Sequence, residues 1–348
     1  MSHHTHGHPT VSAKPMSRRN LLQALAASSV AVGLGAFAAP TAASALGAAP
    51  AALPAALPTA SGGARLVPVN RIGIQLFTVR DKLSGAGSIG FRRLFEELSA
   101  IGYSEVEFAG YTQGGAGAIT PAEIRQLLDD NGLRAVGSHA TLNPGNIDAQ
   151  LEIANTLGMQ YLGQGGPIAS GRADSAWVTA AQTWNQMGVK AEAAGVTLYT
   201  HTHQGEWNWT TDANGANTNR RVYDLLWTEF DPDLVAFEMD IYWAYVGRHL
   251  FPGFEPVEYL KRDPRRFPLV HLKDGKLNPA NGNGYDIIEF GAGDIPYAQI
   301  LKELQRNRGQ RFGMYEQDNA GSTAAGGNPV NSLGNADRSY DQIAALRG

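Results

Sequence analysis

From Val69 onward, short apolar and β-branched runs alternate with longer stretches whose apolar positions return every three or four residues. The short runs predict strands at Arg71–Phe77, Glu105–Phe108, Arg134–Ser138, Tyr161–Gly163, Thr197–Thr200, Val235–Met239, Leu269–Leu272 and Phe312–Tyr315. Between the first two, Phe91, Leu94, Phe95, Leu98 and Ile101 keep the spacing that gives a helix one apolar face. Thr120, Pro121 and Glu123 read as an N-cap, a first-turn proline and the acidic half of a capping box. Asn131-Gly132, Ala194-Gly195 and Asn307-Arg308-Gly309 each put a residue tolerant of left-handed backbone where a helix must stop, just ahead of a strand.

Strands that alternate with helices form βαβ units and hence a parallel sheet, because consecutive parallel strands need a crossover. Eight such units in roughly 280 residues match the size of an α/β (β/α)8 TIM barrel. A doubly wound sheet would have fewer strands and ordinarily a glycine-rich phosphate turn, and neither GxGxxG nor GxxxxGK(S/T) occurs. We therefore expect one TIM-barrel catalytic domain over residues 66–348. The irregular stretches Asn278–Asp286 and Ala320–Asn335 are expected as loops over the barrel mouth.

The pattern fails ahead of residue 66. Ser17-Arg18-Arg19-Asn20-Leu21-Leu22 is a twin-arginine signature, followed by an apolar stretch from Leu21 to Ala39 and the small residues Ala43-Ser44-Ala45. Residues 1–45 thus read as a cleavable export signal and 46–65 as an Ala/Pro-rich disordered spacer, which implies a periplasmic or extracellular protein. The apolar stretch is rich in Ala and Gly and carries Ser28 and Ser29, too weak for a membrane span, so no stable membrane insertion is expected once the signal is cut. His3, His4, His6 and His8 would leave with it.

Composition narrows the chemistry. With 43% apolar and 17% charged residues in 348, the chain can bury a large core. A formal charge of −4 and the lack of any Lys/Arg run interleaved with aromatics argue against a nucleic-acid partner. There is no cysteine, which excludes disulfides, thiolate metal sites and cysteine nucleophiles. Any metal must be held by oxygen and nitrogen.

In a TIM barrel the reactive groups stand at the C-terminal ends of the strands. Here those ends read Glu105-Val106-Glu107-Phe108, Gly137-Ser138-His139, His201-Thr202-His203-Gln204-Gly205-Glu206, Glu238-Met239-Asp240, His271-Leu272-Lys273-Asp274 and Glu316-Gln317-Asp318. A lone His or Asp at a strand end often only caps a neighbouring loop. So many acids and imidazoles, all carried to one side of the molecule, would be costly to bury unpaired, and a divalent cation would offset that cost.

These motifs, with Trp207 after the strand-five segment and Ile241-Tyr242-Trp243 after Asp240, resemble the xylose isomerase-like barrels, often called sugar phosphate isomerase/epimerase proteins, whose fold also appears in endonuclease IV. The resemblance runs from about Arg71 to the C-terminus. It implies a divalent metal held by Glu206, Asp240, His271 and Glu316, with His203 the alternative to Glu206 on the fifth strand. One imidazole among carboxylates is a hard site suited to Mn²⁺ or Mg²⁺ and open to Co²⁺ or Zn²⁺, and Mn²⁺ is the expectation.

The chemistry that follows is proton transfer beside a carbonyl of a sugar or sugar derivative, as in isomerisation or epimerisation. Glu206 and Glu316 are expected as base and acid, with His139, His201 and Lys273 assisting. Glu107, His203, Trp207 and Trp243 are expected to contact the substrate, the tryptophans by stacking on a sugar ring. The rivals are β-elimination from a keto-sugar glycoside at the same metal, and a non-catalytic carbohydrate-binding barrel. A homo-oligomer is compatible with the sequence.

Overall fold

The apolar runs form strands buried on both faces, as parallel strands enclosed by helices must be. They are β1 (Ile72–Gln75), β2 (Glu105–Phe108), β3 (Arg134–Ser138), β4 (Tyr161–Gln164), β5 (Thr197–Thr202), β6 (Val235–Asp240), β7 (Leu269–Leu272) and β8 (Phe312–Tyr315). This computed structural model describes residues 63–110, 119–305 and 312–348. The twin-arginine leader, the spacer as far as residue 62 and the helix end Asn307-Arg308-Gly309 lie outside the described residues.

The strands form one eight-stranded parallel sheet in the order β3-β2-β1-β8-β7-β6-β5-β4. Its two outer strands approach each other through a parallel bridge between His139 and Gly163, and the Ala140 N–H donates to the Gly163 carbonyl at 2.7 Å. The result is a nearly closed TIM barrel, as expected. β1 is shorter than its apolar run. The side chain of Gln75 accepts from the Phe77 N–H, which turns Leu76–Lys82 into a 3₁₀ segment.

Local signals held where their chemistry is local. Thr120 and Glu123 complete a reciprocal capping box on the helix Pro121–Asp130. Gly132 and Gly195 adopt φ of +65° and +75°, the left-handed conformation in which a side chain would be strained. The helices cover the barrel with a continuous apolar layer, while Val136, Tyr199, Ala236, Leu269 and Met314 plug its inside. A Cβ on Gly163 would come within 2.5 Å of the Tyr199 ring, so glycine on β4 makes room for that tyrosine under the site.

Two elements were not anticipated. Asp274–Leu277 pairs with Tyr285–Ile288 as an antiparallel hairpin, so the stretch expected as a loop is its connection, with Tyr285 and Asp286 in the second strand. Asp274 anchors it by accepting from the N–H groups of Gly275, Gly291 and Gly293. A second hairpin, Trp209–Thr211 with Asn217–Arg221, follows β5. The expected loop Ala320–Asn335 ends early, since Asn331 caps a helix over Ser332–Ala345. Among the described residues no helix is long and apolar enough to cross a membrane.

Candidate metal centre

Side chains of a strand alternate between its two faces, so residues two apart share the barrel interior. That rule stacks Tyr199 and His201 on β5, Glu238 and Asp240 on β6, and His271 and Lys273 on and just past β7. Glu107, His139 and Glu316 join them from β2 and from the ends of β3 and β8. Glu107, His201, Glu238, Asp240, His271 and Lys273 are all at most 1% exposed, and Glu316 is 5% exposed.

The cluster has two layers. In the deeper one, Glu238 Oε2 lies 2.9 Å from His139 Nε2 and 3.1 Å from His201 Nδ1, with His271 Nε2 also 3.1 Å away. Glu107 Oε2 accepts from His271 Nε2 at 2.8 Å, and its other oxygen accepts from the Tyr199 hydroxyl. Nearer the mouth, His271 Nδ1 is 2.8 Å from Glu316 Oε2 and 3.8 Å from Asp240 Oδ2, and His201 Nε2 is 3.9 Å from the same Asp240 oxygen. Lys273 Nζ lies 2.9 Å from Asp240, 2.8 Å from Glu316 and 3.0 Å from Asp318.

Two groups of side chains bring potential ligand atoms within 4.8 Å of one another: His201, Asp240, His271 and Glu316, and below them His139, His201, Glu238 and His271. A divalent ion with ligand distances of about 2.0–2.2 Å can bridge such spans. The first group also has a carboxylate held in place. Asp240 Oδ1 accepts from the Trp243 N–H and so caps the helix Ile241–Leu250, which fixes the carboxylate. Its Oδ2 lies 2.9 Å from the Lys273 ammonium, and in the second group Glu238 Oε1 is buried without a hydrogen-bond partner. The carboxylates of Glu107, Glu238, Asp240, Glu316 and Asp318 outnumber the ammonium of Lys273 and the two imidazoles, His139 and His271, whose proton affinity is raised. Such a site favours a further cation.

Proton affinities follow from the same crowding. Burial lowers His201 well below the usual imidazole range, helped by the other imidazoles and Lys273, and burial with Lys273 takes His203 down to about 3. Against burial, Glu238, Glu316 and Glu107 raise His271, and Glu107 and Glu238 raise His139 to about 10. Burial outweighs Lys273 and His271 at Asp240, which rises to about 6. Against burial, Lys273 and His271 hold Glu316 well below the carboxylate range.

Several expected site residues stand elsewhere or play another part. Glu206, expected as ligand and base, is outside both groups. Its Oε2 accepts from the His203 N–H and closes the short turn Gln204–Trp207, and burial raises it to about 7. Trp207, expected to stack on a sugar, is fully buried with Tyr223 at 4.1 Å on one face and Phe254 at 4.4 Å on the other, so neither face is open. Glu107, expected to contact the substrate, lies beneath the imidazoles with both oxygens engaged by Tyr199 and His271. Trp243 does border the cluster: Lys273 Nζ is 5.5 Å from its ring and His203 packs against it at 5.4 Å. The set of expected site residues omitted Glu238. The alternation from Asp240 two residues on was the signal that could have placed it on the same face.

The family described as xylose isomerase-like TIM barrel matches residues 95–324 of this chain. No curated protein matches it. Among solved structures, a sugar phosphate isomerase/epimerase from Parabacteroides distasonis is similar with a TM-score of 0.61 at 21% identity, over 85% of this chain and 100% of its own. A probable 3-DHS dehydratase, AsbF, from Bacillus anthracis gives 0.52 at 13%, over 79% and 98%. An IOLI protein with a bound zinc atom gives 0.55 at 14%, over 80% and 99%. At these identities the likeness is one of fold.

Proposed function

The chain belongs to the xylose isomerase-like TIM-barrel family, and from that premise we propose a divalent-metal-dependent isomerase or epimerase acting on a sugar or neutral sugar derivative. The observation that carries the reading is the buried quartet His201, Asp240, His271 and Glu316, whose ligand atoms lie within 4.8 Å of one another. Those four side chains would hold the ion, with His201 in the role expected for Glu206. Two imidazoles beside two carboxylates shift the preference from Mg²⁺ toward Mn²⁺, Co²⁺ or Zn²⁺. Bound there, the ion would polarise a carbonyl and acidify the adjacent C–H.

The protein's own groups divide the remaining work. His203, half-buried and held neutral, offers a lone pair for a proton at the mouth. Lys273 offers a fixed positive charge to a developing enediolate. Asp318, 28% exposed and paired with Lys273, can carry a proton to solvent. Trp243 supplies an apolar wall at the substrate side.

The test is NMR in D2O of the barrel purified without its leader, loaded with Mn²⁺, Co²⁺ or Zn²⁺ and given neutral aldoses, ketoses and 3-keto-glycosides. Deuterium entering a carbon-bound position supports the reading. Release of an aglycone would replace it with β-elimination at the same site, and no exchange with any ion would overturn it. We propose further that Ser17-Arg18-Arg19 directs export by the twin-arginine route. Exported protein should then begin near Leu46, and replacing both arginines by lysine should retain it inside the cell.

A further inference from the structure

His201 and His271 each face both layers of the cluster, one nitrogen upward and one downward. His201 turns Nδ1 to Glu238 at 3.1 Å and Nε2 toward Asp240, while His271 turns Nε2 to Glu107 at 2.8 Å and Nδ1 toward Glu316 and Asp240. A carboxylate oxygen accepts and cannot donate, so the nitrogen that faces it carries the hydrogen. For His201, whose Nε2 stands 3.9 Å from Asp240, the opposite nitrogen is then left with its lone pair, whereas both nitrogens of His271 meet carboxylates at 2.8 Å.

We infer that Glu238 is a positioning residue for the metal centre: by accepting from His201 Nδ1 it fixes the ring and its tautomer so that Nε2 presents a lone pair toward Asp240 and Glu316. This rests on the metal reading proposed above. Glu238 is wholly buried, and the same oxygen takes His139 Nε2 at 2.9 Å. It therefore ties imidazoles from β5, β7 and the end of β3 to β6, and it acts on the ion through His201, with His271 Nε2 also 3.1 Å from it. Glu107, held by the Tyr199 hydroxyl, stands in the corresponding place under His271. Carboxylate partners of this kind fix ligand orientation and raise ligand basicity.

Two measurements on the barrel test this. In the metal-free wild type, long-range ¹H–¹⁵N correlation of the imidazoles should show His201 protonated at Nδ1 and bare at Nε2. Calorimetric titration with Mn²⁺, Co²⁺ and Zn²⁺ should show Glu238→Ala binding about 10–100-fold more weakly than wild type. Glu238→Gln, whose amide oxygen still accepts from Nδ1–H, should fall between. His201 protonated at Nε2 in the wild type would overturn the inference whether or not the alanine variant folds. So would wild-type affinity in both variants. A wild type that binds none of the three ions would instead overturn the metal reading, and Asp240→Asn separates the two cases: it should lose the ion while His201 keeps its proton on Nδ1.

Discussion

Glu105 and Glu107 stand two residues apart on β2, both wholly buried, and they mark two ends of the barrel that handle charge differently. At the end where the strands begin, Glu105 is met by the guanidinium groups of Arg134 and of Arg71, the latter 3.4 Å away. Toward the mouth, Glu107 is met by Tyr199, His139 and His271. Arginine keeps its charge at every accessible pH, whereas an imidazole can lose its proton and hand the lone pair to a metal. The first carboxylate is thus tied into the scaffold. The second belongs to a network whose charge can be exchanged.

Removing a cation from each end should separate them most widely. Lys273→Met strips the one ammonium from the buried carboxylates and should cost the metal-free protein about 3–5 kcal/mol in urea unfolding, part of which a saturating divalent ion returns. Arg134→Gln, whose side chain is 56% exposed, should cost only about 0–1 kcal/mol. Equal losses would collapse the contrast.

Metal affinity should divide the ends next. Asp240→Asn should weaken divalent-ion binding by on the order of 100-fold or more, beyond what outer partners of a ligand typically contribute. Glu105→Gln, at the far end, should leave that affinity unchanged in the same calorimetric titration.

The last contrast is one of pH. Burial outweighs Arg134 and Arg71 and raises Glu105 from 4.5 to about 7. The folded protein then binds more protons there than the unfolded chain between those values, so this group's contribution to stability falls as pH rises from about 4.5 to about 7 and is level above. Thermal melts of Glu105→Gln against wild type should show a shallower decline over that window. A steeper one would reverse the assignment.

Much of this was legible beforehand because it depends on neighbours in sequence. Strand runs, the Thr120 capping box and the helix stops at Gly132 and Gly195 are local, and each formed. The hairpin Asp274–Leu277 with Tyr285–Ile288 was hidden because its strands are four residues each and its connection is rich in Asn and Gly, with the anchoring carboxylate of Asp274 visible only in three dimensions. Asp240, His271 and Glu316 were marked by position, and the structure gathers them within one small volume. Trp207 packs into the core and Glu206 stands outside the two ligand groups, because adjacency in sequence to a strand end does not say which way a turn directs its side chains.

The sequence by itself determined the repeating strand and helix, hence the barrel and the end of it where acids and imidazoles collect, since periodicity and caps act over a few residues. Only the tertiary structure decided which of those groups share a layer, which nitrogen of His201 and His271 faces which carboxylate, and that Trp207 is core while Trp243 borders the site. Those choices depend on strand register around a closed sheet and on rotamers set by residues distant in the chain, such as Glu238 with His139 and Glu107 with His271.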